Sequence, residues 1–189
     1  MTDQSIGPAV KDILGGHALL IICIICYLVW WCITFKPGGS STLFGNTCIV
    51  LAFVSGAAGV LLNSHGISIR ENASAGVPGA YILIGGAVVY VVLFLIFTLV
   101  FHRQLTTELF LIVGWAVLEM CTLNALFCTG DFSRTIAISL AVIVIAAAAV
   151  SLVCYMLYYG LSGQKGWIDG MIPLIMAGTV MAIIAIMAL

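Results

Sequence analysis

Six long apolar runs alternate with five short polar breaks along the 189 residues. The runs fall at 16–35, 43–62, 80–101, 108–128, 134–159 and 170–189. Each approaches or exceeds the roughly 20 residues that a helix needs to cross the hydrocarbon core of a bilayer. The breaks "KPGGSST", "NSHGISIRENASAGVPG", "HRQLTTE", "TGDFSR" and "GLSGQKGWIDG" carry the Gly, Pro, Asn, Asp and Ser of turns. Because the runs are continuous where a barrel strand would alternate, and because lipid leaves no solvent for an unpaired backbone, the pattern predicts helices. The expected fold is an all-α integral membrane protein, a bundle of six transmembrane helices with short loops. Residues 1–15 form an interfacial segment in this reading, with Ser5 and Pro8 suited to a helix start, and residues 16–189 form the membrane domain.

Composition strengthens the assignment. Hydrophobic residues make up 63% of the chain and charged residues 7%, against about a quarter in soluble domains; so few charges cannot cover a wet surface. Six Lys plus Arg against seven Asp plus Glu give a net charge of −1, which provides no basic face for nucleic acid. All seven cysteines fall inside expected spans, where thiols behave as small soft hydrophobes. Cys23 and Cys26 have CxxC spacing without the strand-turn-helix setting that makes it a redox motif.

The alternation of spans sorts the polar residues onto two faces. Lys11, Asp12, His17, Asn63, His65, Arg70, Glu71, Asp131 and Arg134 share the first face; Lys36, His102, Arg103, Glu108, Lys165 and Asp169 share the second. Counting Lys and Arg gives three on each, so the positive-inside rule does not orient the chain. Ser55 with Gly59, Gly85 with Gly86, and the run Ala146 to Ala149 are candidate points of close helix approach. Loop lengths also suggest two three-helix halves related by inversion, although no residue motif recurs between them.

One residue breaks the apolar pattern deep inside a span. Glu119 lies near the midplane of the fourth run, where a carboxylate is costly and no Lys or Arg is available as a partner. It is expected to be protonated and to donate to Tyr90, Ser151, Tyr155 or a carbonyl. Trp115 and Thr122 flank it at i−4 and i+3 on the same helix face. Tyr27 and Trp31, with Trp30, offer an aromatic belt or a wall for a cationic or planar ligand, and Tyr155, Tyr158 and Tyr159 do the same. On the loop side, His17, His65, Arg70 and Glu71 are candidates for a lid or surface cluster, and Asn72-Ala73-Ser74 fits the glycosylation pattern. The histidines make a poor metal site, and no motif points to a cofactor or to a nucleophile, phosphate or dinucleotide chemistry.

The leading expectation is a small transporter or channel for a solute or ion, with Glu119 in the pathway. A non-catalytic membrane subunit is the alternative, and a membrane-embedded enzyme acting on a lipid or redox substrate comes third. Expected partners are the lipid bilayer, a small solute or proton, and a second copy or another membrane protein; the expected location is a bacterial cytoplasmic membrane. A polar cavity reaching Glu119 would favour transport, and a dry, sealed Glu119 would favour the subunit.

Overall fold

The computed structural model describes residues 6–73, 78–102 and 107–189. Among these residues six helices follow one another: α1 (Ile6–Thr34), α2 (Leu43–Ala73), α3 (Gly79–Leu95), α4 (Thr107–Cys128), α5 (Arg134–Tyr158) and α6 (Gln164–Met187). All six are long and apolar enough to span a membrane. Their outward faces keep large hydrophobic side chains such as Phe53, Leu83 and Ile145 exposed, which suits a lipid environment and no aqueous one.

The helices extend further than the apolar runs. Helix α1 begins at Ile6 and α2 continues to Ala73, so Asn63, His65 and Arg70 are helical where a 17-residue loop from 63 to 79 was expected. At 29 and 31 residues, these helices are about 43 and 46 Å long at 1.5 Å per residue, longer than the hydrocarbon core. Helix α6 starts at Gln164, after Gly163 turns the chain with φ 59°, and so takes Asp169 out of the expected loop. Helix α3 ends in a π-helical turn at Ile96–Val100.

The hairpin α1/α2 is the most extensive helix pair. Its cause is a run of small residues at the crossing. A Cβ at Gly16 would lie 2.7 Å from the Asn63 backbone nitrogen, and one at Gly59 would lie 2.9 Å from the Gly16 carbonyl oxygen. Without side chains at these places the two backbones approach closely, and in lipid such van der Waals packing drives association. Gly86 does the same for α3 against Val117 of α4, whereas Gly85 faces open space.

Helix α6 packs on α1 and α5, and α4 sits between α5, α3 and α2. The core lies around α4, with Cys121, Leu123, Ala125 and Leu126 packed against Ile13, Ile67, Leu140, Val144 and Ile184. Helix α3 leans chiefly on α4, whereas α6, its counterpart in the suggested repeat, has two extensive partners. The turn between α4 and α5 is held by amide groups of Asp131 and Phe132 donating to the Leu126 carbonyl, with Gly130 at φ 85°. Phe132 is buried and Ser133 caps α5 by accepting from the Ile136 amide.

Candidate functional site

The midplane carboxyl has a partner. Glu119, the thirteenth residue of α4, places Oε2 3.0 Å from Nε2 of His17, the twelfth residue of α1. Both side chains are fully buried, at 0% exposure. His17 was expected among the loop-side residues; α1 starts about three turns upstream of the expected run and so carries it further into the bundle. Tyr90, Ser151 and Tyr155 were the expected partners of Glu119. Ser151 instead donates to the Ala147 carbonyl, and Tyr90 packs edge-on against Phe110 at 5.9 Å, while Tyr155 packs edge-on against Phe97 at 5.1 Å.

Hydrogen-bond direction fixes the chemistry of the pair. His17 Nδ1 lies 2.9 Å from the Ile13 carbonyl, which can only accept, so Nδ1 carries a proton. The contact between Nε2 and Oε2 then needs one further proton. It resides either on Glu119, facing a neutral imidazole, or on His17, facing a carboxylate. The pair therefore holds a single transferable proton, and removing it would set a carboxylate against a lone pair in a fully buried site. Glu119 Oε1 has no hydrogen-bond partner among the described residues.

Below the pair, towards the first face, the polar track continues. Asn63 Nδ2 donates to Thr122 Oγ1 at 3.3 Å, and both side chains are fully buried. Two turns further along α2, the buried Arg70 guanidinium donates to Thr129 and to the Asp131 carboxylate. Burial pushes the Asp131 carboxyl up, but hydrogen bonds from Arg70 and Thr129 together with the Arg70 charge bring it below the ordinary carboxylate range. His65 stands apart on the surface, with Nδ1 2.8 Å from Asp12 Oδ2. The side chains of Glu71 and Asn72, and all of Ser74, lie outside what is described.

Above the pair, towards the second face, α1, α4, α5 and α6 line a half-open cavity of about 250 Å³. Its inner end is made by Leu20 and Trp115, one turn from His17 and Glu119 respectively. Its walls include Tyr27, Trp31, Tyr155 and Tyr158, and Glu108 and Asp169 contribute carboxyl groups. Trp31 and Tyr158, with ring centroids 5.9 Å apart, also border a second cavity of about 400 Å³ formed with Phe35, Pro37, Tyr159 and Trp167. The Trp31 indole is fixed by donation to the Trp167 carbonyl at 3.0 Å. Glu119 lines neither cavity.

The chain matches no family model, and no curated protein or solved structure is significantly similar to it.

Of the residues singled out by sequence, the structure joins Tyr27, Trp31, Tyr155 and Trp115 around the cavity, and joins Glu119, His17 and Thr122 in the layers beneath it. Tyr90 and His65 belong to neither. Asp169 and Asn63 were missed as site residues because both were read as loop. The signal for Asp169 was its distance of four residues from Pro173, which fits the first turns of a helix that Pro then weakens. The signal for Asn63 was its spacing of seven from Arg70 and its place four residues after Gly59 on the face that meets α1.

Proposed function

We propose that this membrane protein is a proton-coupled transporter of a small solute. The solute enters from the second face through the aromatic pair Trp31 and Tyr158, occupies the inner cavity, and is coupled to the proton held by His17 and Glu119. The observation that carries this reading is that the cavity ends one helical turn from the buried pair, while the polar track of Asn63, Thr122, Arg70 and Asp131 continues to the first face. A carboxyl group and an imidazole this deep in a bilayer are costly, and the pair keeps a proton that a change in its surroundings can move.

Glu119 is fully buried and lines neither cavity, which is the outcome expected above for a non-catalytic subunit; in this second reading His17 and Glu119 only tie α1 to α4. The two readings differ in what Gln at position 119 does. Proteoliposomes loaded with a pH-sensitive dye and challenged with pools of small neutral, anionic and cationic solutes should show solute-evoked proton movement for the native protein. Glu119→Gln should abolish it, although the amide preserves most of the packing. Silence of the native protein towards every pool, or an unchanged response in the Gln variant, would favour the subunit.

A further inference from the structure

We propose that the inner cavity is a binding site for a small organic cation with a flat apolar body, anchored by the Asp169 carboxylate and enclosed by aromatic rings. The proposal names the solute class for the transport reading; it depends on that reading for movement of the cation, not for binding.

Among the described residues the lining carries one sign of charge: Glu108 and Asp169 are acidic, and no Lys, Arg or His contributes to it. Asp169 is 8% exposed, and its Oδ2 is buried with no hydrogen-bond partner among the described residues, although the Cys154 thiol reaches the carboxyl group. Lys36, His102 and Lys165 on the same face are exposed, and none pairs with Asp169 among the described residues. A buried carboxylate without a counter-charge is unfavourable in a low-dielectric site, and a cation seated beside it supplies that charge.

Backbone chemistry adds a second acceptor. Pro173 also lines the cavity and has no N–H, so the Asp169 carbonyl four residues earlier loses its usual helical donor. Around these acceptors stand Tyr27, Trp31, Tyr155 and Tyr158, whose rings attract cations through their faces and pack against an apolar body. Beside a neutral solute the acid can keep its proton and gains nothing from the contact, whereas a cation favours the ionised carboxylate, which would repel an anion. A bare metal ion would find few polar ligands in so apolar a space.

The test uses the full chain in nanodiscs of zwitterionic lipid, with binding to empty nanodiscs subtracted. The probes are 3-hydroxyphenyltrimethylammonium and 3-tert-butylphenol, a cation and its neutral isostere. The native protein should bind the cation at least about tenfold more tightly. Asp169→Asn should reduce cation binding about tenfold and leave the neutral probe within about twofold. Equal binding of the two probes by the native protein, or undiminished cation binding by Asp169→Asn, would overturn the proposal. If the Asn variant does not fold, the native preference decides together with Tyr158→Leu, which should weaken the cation more than the phenol. Cation-selective binding without any proton movement would uphold the site and count against transport, so the two readings fail separately.

Discussion

At the scale of single residues, the structure turns an isolated carboxyl into half of a pair. A Glu without a partner at the midplane has one economical state, protonated and silent. Beside an imidazole whose Nδ1 is committed to a carbonyl, it has two states that differ in the place of one proton. Sequence spacing located Glu119 and its stripe with Trp115 and Thr122, because these depend only on one helix. His17 was not legible as its partner, since the contact spans 102 residues and the start of the apolar run placed His17 at a membrane boundary. The Arg70 and Asp131 pair allows a sharper expectation, because Asp131 lies outside the spans. Its carboxyl is held below the ordinary value, so the unfolded chain takes up the proton first as pH falls. The contribution is fully present above the unfolded value near about 3.9 and is lost as pH drops through the lower folded value. Thermal melting in detergent should therefore fall from pH 6 to pH 3 more steeply for the native protein than for Asp131→Asn. Parallel pH profiles would contradict the assignment.

At the scale of elements, the six spans were legible because lipid enforces them: each helix must be apolar over its crossing and must satisfy its own backbone. Their ends were less legible. Polar residues in "NSHGISIREN" read as loop by composition, yet they continue α2 because α4, α1 and the α4/α5 turn offer partners to Asn63, His65 and Arg70 respectively. Small residues were legible as packing signals, but not which helix each would meet. Gly59 meets α1, Gly86 meets α4, and Gly85 meets nothing within 4 Å. This contrast gives a graded expectation. Gly59→Val should separate α1 from α2 and lower stability by about 1–3 kcal/mol, the usual cost of overpacking a tight contact. Gly85→Ala should leave stability unchanged or raise it slightly, since Ala favours a helix more than Gly does. Thermal or denaturant stability measured on both variants in the same detergent checks this, and equal losses would contradict the assigned approach.

At the scale of the whole molecule, two cavities and three polar layers lie in sequence across the bundle. The second face carries the wide aromatic vestibule, the Trp31 and Tyr158 partition and the cavity with Asp169; the middle carries His17 and Glu119; the first face carries Arg70 and Asp131. Wide above and tightly paired below, this arrangement suits a pathway closed at its centre. On the proposed function, water and small cations reach the cavity from the second face alone and stop at the pair. Native cysteines mark both sides of that stop, because Cys154 lines the cavity and Cys121, buried in the core around α4, does not. The decisive measurement is the reaction of single-cysteine proteins in sealed, uniformly oriented vesicles with a membrane-impermeant trimethylammonium methanethiosulfonate. Ser40→Cys and Thr135→Cys, each alone in the cysteine-free background, report the second and first faces. Cys154 should react only from the face that labels Ser40→Cys, and Cys121 should react from neither. Reaction of Cys121 from either side, or of Cys154 from the face that labels Thr135→Cys, would contradict a pathway that opens at the aromatic end and closes at His17 and Glu119.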